Sequence, residues 1–116
     1  MYNKDNLFAK IIRKEIPCEI VYEDERVLFI KDKYPRAKIH ILAMPKLEAM
    51  DFNDFILKAD EDMVGYFFSK IQKVIKEEGI EKSGFKIIIN SGRNGGQEVP
   101  HFHAHVLGGE NVGILK

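Results

Sequence analysis

The stretch "HFHAHVLGG" at positions 101–109 places a histidine at every second residue, and a chain with four histidines in all carries three of them here. In a β-strand the side chains alternate between faces, so His101, His103 and His105 would stand on one side while Phe102, Ala104 and Val106 point to the other. In a helix the same imidazoles would spread around the axis, and the β-branched and aromatic neighbours favour the strand. The pattern predicts a row of three imidazoles on one strand face.

Directly upstream, "SGRNGGQEVP" (91–100) is a glycine-rich loop in which Gly92, Gly95 and Gly96 let backbone N–H groups approach an anion closely. Before it, "FKIIIN" (85–90) is nearly continuous apolar sequence with β-branching, predicting a strand buried on both faces or at an interface. "DEDMVGYFFSKIQKVIKEEGI" (60–80) has Met63, Phe67, Ile71, Val74 and Ile75 at helical spacing and Gly79 as a stop, so it is the main helix. "IHILAMP" (39–45) is an apolar strand stopped by Pro45, with "YPRAK" as the loop before it. "EIVYED" and "RVLFIKD" form a hairpin about the acidic turn at Asp24 and Glu25. At the start, Asn6 can cap a short helix, "LFAKIIRKE", with Leu7, Phe8, Ile11 and Ile12 on one face and Pro17 ahead to end it. This order of elements predicts a single α+β domain over 1–116 with a mostly antiparallel sheet.

The bulk numbers agree and exclude several classes. A length of 116 residues is enough for a hydrophobic core without staples. Lys plus Arg balances Asp plus Glu at 18 each, so the net charge announces neither a nucleic-acid nor an anionic-membrane partner. Cys18 is the only cysteine, which rules out an internal disulfide and fits a reducing compartment. The charged N-terminal stretch is not a secretory signal, and no window approaches the roughly 20 apolar residues of a membrane span. The expected location is the cytoplasm.

Three purposes would account for the histidines. They could be surface side chains on an exposed strand face. They could chelate zinc, His-x-His supplying two imidazoles and His105 or the remote His40 a third. Against zinc, no pair of carboxylates or thiols lies nearby in sequence, and the preceding loop suits an anion. Or one imidazole could act as a nucleophile on phosphorus, since its neutral nitrogen is competent at physiological pH and is readily displaced again by water.

The chain also resembles the histidine triad (HIT) superfamily, and within it the Hint-like branch of purine nucleoside phosphoramidases. The signature His-φ-His-φ-His-φ-φ, with φ apolar, is matched by His101 to Leu107, and "NGGQEV" looks like the family's phosphate loop. The resemblance extends to "FAKIIRKEIP" (8–17), "VYEDERVLFIKD" (21–32) and "HILAMPK" (40–46). It implies a HIT-like fold: a mostly antiparallel five-stranded sheet with one main helix and a short N-terminal helix, continuous across a homodimer. It implies hydrolysis of purine nucleoside 5′-phosphoramidates or related adenylates through a covalent nucleotidyl-histidine. His103 would be the nucleophile, His101 would orient it, and His105 and His40 would border the phosphate. Gly95, Gly96, Gln97 and Val99 would face the phosphate oxygens, Asp32 the ribose hydroxyls, and Asn90 the sugar and phosphate. Leu7, Phe8, Ile11 and Ile30 would form the base slot. Neither a metal nor any other cofactor is implied, and the partner is an AMP- or GMP-like nucleotide.

Three departures limit what carries over. Lys33 stands where an apolar residue often closes the base slot, and Glu98 where some members have a serine near the leaving group. The tail "ENVGILK" lacks the tryptophan that some relatives carry. Two further activities share these residues: dinucleoside polyphosphate hydrolysis, and nucleotide binding by a regulatory module with vestigial catalysis.

Overall fold

The structure, a computed structural model, describes residues 1–113; the last three residues of the tail stretch lie outside them. In chain order the elements are α1 (Leu7–Ile12), β1 (Ile20–Glu23), β2 (Val27–Lys31), β3 (Ile39–Pro45), α2 (Phe52–Lys58), α3 (Glu61–Glu77), β4 (Phe85–Ile88) and β5 (Ala104–Gly108). The five strands form one sheet in the order β1-β2-β3-β5-β4, each neighbouring pair antiparallel. The α+β class and the five-stranded antiparallel sheet are those expected.

Period-two alternation divides the sheet into two faces. Val27, Phe29, Ile41, Ala43, Ala104 and Val106 pack with Phe67, Ile71, Val74 and Ile75 of α3. Phe102 joins this core, its ring stacked on that of Phe55 at 4.5 Å and 8°. Cutting Phe102 to alanine would cost about 3–5 kcal/mol, as for other large buried aromatics. The opposite face carries Leu28, Ile30, Leu42 and Met44, covered by Phe8 and Ile11 of α1. Because Leu42 of β3 sits opposite His105 of β5, the histidines lie on this second face, beside α1.

Asn6 caps α1, its side-chain oxygen accepting from the Ala9 N–H at 2.9 Å. The helix ends at Ile12, short of the predicted "LFAKIIRKE", because Lys14 adopts a left-handed φ of 66°. Leu7 is 44 % exposed and stays out of the cluster that holds Phe8 and Ile11.

β4 and α2 go beyond what the sequence pattern alone gives. β4 is not buried on both faces: among the described residues only β5 pairs with it, and Phe85 and Ile87 are 41 % and 39 % exposed, so of the two expectations for this strand an interface is the one its exposure is compatible with. α2 was not foreseen, because its seven residues are too few to show a periodicity. Its signal is at the cap: Asp51 accepts from Asp54 N–H, and Asp54 accepts from Met50 N–H, each at 2.8 Å.

Candidate active site

The predicted strand covering all three triad histidines begins later than expected, at Ala104. Pro45 at the end of β3 has no N–H to extend the ladder, and the Phe102 N–H turns to Ala49 O at 2.8 Å instead. The alternation survives the loss of the ladder: Phe102, Ala104 and Val106 enter the α3 core, and the histidines do not. The contiguous imidazoles are His103, His105 and His40, with ring centroids 5.1 Å apart for the first pair and 5.2 Å for the second. His101 lies behind them, 0 % exposed.

The hydrogen bonds fix which nitrogen of each ring carries the proton. His103 Nδ1 is 2.7 Å from the main-chain oxygen of His101. A carbonyl can only accept, so Nδ1 is protonated and Nε2 holds the lone pair. Among the described residues every buried side-chain nitrogen or oxygen has a partner, and His103 Nε2 has none; it therefore reaches solvent. The same reasoning places the proton of His101 on Nε2, 2.7 Å from Pro45 O, and makes Nδ1 an acceptor for the Tyr2 hydroxyl at 2.6 Å.

His40 accepts the Arg36 N–H on Nδ1 at 3.1 Å, so its Nε2 is the donor, 2.9 Å from His105 Nδ1 and 3.3 Å from Asp32 Oδ2. With Nδ1 accepting, His105 keeps its proton on Nε2. A lone pair on His103 and an N–H on His105 thus stand on neighbouring rings. All four imidazoles are pushed toward the neutral form, chiefly by burial. His101 and His105 fall to about 4, the latter also through the nearby His103, His40 and Arg36 charges.

The glycine-rich loop is braced by its own side chains. Gln97 accepts the Gly92 N–H at 2.9 Å and donates both amide hydrogens, to Met50 O at 2.7 Å and Val99 O at 2.9 Å. Its side chain in this conformation holds the loop and has no N–H left to offer. Asn90 likewise donates to Gly95 O at 2.8 Å. Gly95 is obligatory, since a Cβ there would lie 2.3 Å from Ser91 O, and Gly96 has a φ of 77°. The Gly96 and Gln97 N–H groups are used inside the loop, whereas nothing among the described residues accepts from those of Glu98 and Val99.

Phe8, Ile11 and Ile30 are buried together beside the histidines, and the Phe8 ring meets His103 edge-on at 4.7 Å. Asp32 is more than a strand-end carboxylate: Oδ1 accepts from Tyr34 N–H at 2.8 Å while Oδ2 faces His40. Asp32, His40 and His105 also have donor atoms within 4.8 Å of one another, close enough to share a metal ion. The 2.9 Å contact between the two rings is a hydrogen-bond distance, however, and the Arg36 guanidinium 3.4 Å from His105 Nδ1 opposes a second cation. Sequence reasoning missed Tyr2 and Arg36, since a lone tyrosine or arginine in a short segment carries no spacing signal.

Comparison with known proteins identifies the family. The sequence matches the HIT domain over residues 13–112. A HIT-like protein of Rickettsia prowazekii is 48 % identical over 99 % of this chain and 97 % of its own. The purine nucleoside phosphoramidase of Escherichia coli is 40 % identical over 97 % of this chain and 93 % of its own. A histidine triad protein from Clostridium difficile superposes with a TM-score of 0.89 at 40 % identity, each chain covered completely. The triad at His101, His103 and His105, the loop before it and the sheet that carries them belong to one lineage: the chain is a member of the HIT domain family.

Proposed function

We propose that this protein is a nucleotide hydrolase that cleaves purine nucleoside 5′-phosphoramidates or related adenylates through a nucleotidyl group carried on His103. The observation that carries the reading is the solvent-facing Nε2 lone pair of His103, aimed by the bond from Nδ1 to His101 O. Nε2 attacks the α-phosphorus, the P–N bond breaks, and the departing amine takes the His105 Nε2–H. Water then attacks the phosphorus and gives one proton back to His105 Nε2 as the bond from phosphorus to His103 Nε2 breaks, so a nucleoside monophosphate leaves and both imidazoles are regenerated. Charge on the phosphoryl oxygens is stabilised by fixed N–H dipoles, with Glu98 and Val99 as donors. These steps call for no metal.

In the same reading the base enters beside Phe8, Ile11 and Ile30 with Leu7 at the rim, Asp32 receives the ribose hydroxyls, and Asn90, Gly95, Gly96 and Gln97 shape the phosphate loop. The name of the Escherichia coli relative supports the P–N bond as the target. A homodimer joined along β4 would cover Phe85 and Ile87, which supports the assembly.

The test is amine release from an adenosine 5′-phosphoramidate with chelator present, comparing wild type with His103→Ala. Turnover that disappears in the variant is the expected result. Nucleotide binding without turnover in the wild type would make the protein a binding module. Strong preference for dinucleoside polyphosphates would move the activity to that class.

A further inference from the structure

We propose that Tyr2 is a positioning residue of the histidine site: its hydroxyl holds His101 in one tautomer, and His101 in turn holds His103. The proposal rests on the reading of His103 as the attacking residue. His101 touches no solvent, and both of its ring nitrogens are occupied, Nε2 by Pro45 O and Nδ1 by the Tyr2 hydroxyl. A residue so enclosed cannot meet a substrate. What it offers the site is its main-chain oxygen, which receives the His103 Nδ1–H at 2.7 Å.

The path from Tyr2 to the nucleophile is therefore short and directional. The tyrosine O–H donates to His101 Nδ1, which leaves the proton on Nε2 and directs it to Pro45 O at the end of β3. That pins residue 101 between the N-terminal segment and the sheet, and with it the carbonyl that aims His103. The Tyr2 ring meets the His101 ring edge-on at 5.6 Å and 71°, which limits tilting. Burial raises the Tyr2 pKa, so its hydroxyl remains a donor across the working range.

Tyr2→Phe keeps the ring and removes only the hydroxyl. His101 Nδ1 then becomes a buried acceptor without a donor, and the ring has two ways out. It can move its proton to Nδ1, which sets the Nε2 lone pair against the Pro45 carbonyl, or it can tilt and displace its own main-chain oxygen. Either response loosens the aim of His103 without altering a nucleotide contact.

The experiment combines kinetics with long-range 1H–15N spectra of the histidine rings in the unliganded protein. Wild type is expected to show a protonated Nε2 on His101 and a protonated Nδ1 on His103. In Tyr2→Phe the His101 pattern should change and kcat should fall about tenfold, the scale of one lost buried hydrogen bond, while KM stays within about twofold. A lowered melting temperature with kcat and spectra unaltered would overturn the proposal and leave Tyr2 a packing residue. A wild-type spectrum with the His101 proton on Nδ1 would overturn it even if the variant failed to fold. Absent turnover in the wild type would count against the hydrolase reading alone, because the spectra decide the role of Tyr2 without it.

Discussion

His40 donates its Nε2–H to His105 Nδ1 across 2.9 Å, although the two residues are 65 positions apart in the chain. They meet because β3 and β5 are neighbours in the sheet, with His40 opposite Leu107 and Leu42 opposite His105. The bond sets the tautomer of His105 and so keeps its proton on Nε2, which the proposed mechanism uses to protonate the leaving amine. His40→Ala should lower kcat by about tenfold or more, the range expected when one oriented proton donor is lost. His40→Gln, which can still donate, should recover part of it. Steady-state kinetics on both variants checks this, and equal loss in the two would count against the tautomer argument.

Asp32 holds one oxygen on the Tyr34 N–H and faces His40 with the other. If its carboxylate also accepts from the ribose, Asp32→Asn should weaken nucleoside monophosphate binding about tenfold, the scale of a charge-assisted hydrogen bond. A 2′,3′-dideoxy analogue should bind wild type and variant alike. Calorimetry with the two ligands separates a ribose contact from a general loss of structure, and unaltered affinity for the ordinary nucleotide would sink the assignment.

Gly95→Ala tests the loop. A methyl group at this position would lie 2.3 Å from a backbone oxygen, which cannot yield as a side chain would, so the turn must open. The loop is exposed, so the melting temperature should hardly change, while affinity for the monophosphate should drop about tenfold through the loss of aligned N–H donors. Affinity equal to wild type would show that the phosphate rests elsewhere.

The buried histidines also predict a pH dependence. Protonating His101 costs the folded state, so its pKa falls from the ordinary 6.5 to about 4 and the unfolded chain takes up the proton first. Stability is full above about pH 6.5 and declines as the pH drops toward 4, with His101 alone responsible for about 3 kcal/mol. Denaturant midpoints between pH 7.5 and 4 should follow this fall, and a flat profile would contradict the buried, neutral assignment. Activity should lose its acid limb below the ordinary histidine range, because burial lowers the His103 pKa too.

The exposed Phe85 and Ile87 of β4, whose outer edge pairs with no other described strand, predict self-association. Sedimentation at micromolar concentration should give about twice the 13.4 kDa chain mass, and Ile87→Asp should return it to the monomer. A monomeric wild type would leave those side chains without an explanation.

Much of this was legible in the sequence because periodicity reports burial. The alternation through Phe102, Ala104 and Val106 predicted their side of the sheet, and the spacing from Phe67 to Ile75 predicted the buried stripe of α3. What periodicity cannot report is where hydrogen bonding stops. The strand was expected to reach His101, but Pro45 on its neighbour ends the ladder, and His101 becomes a buried support behind the imidazole row. Gln97 was expected to face a phosphate, and its amide is engaged on both sides, by Gly92 and Val99 of the loop and by the Met50 carbonyl outside it. β4 read as buried on both faces or at an interface, because apolar sequence does not distinguish a core strand from an edge that a partner covers. Tyr2 was invisible because its role depends on a single contact 99 positions away.

The central claim is a covalent nucleotide on His103. Rapid quenching of the wild type during turnover of an adenosine 5′-phosphoramidate, followed by intact-protein and peptide mass spectrometry, tests it directly. A transient gain of one nucleoside monophosphate, mapped to His103 and absent in His103→Ala, is the predicted result. Turnover that proceeds with no adduct, or with one mapped to another residue, would contradict the account.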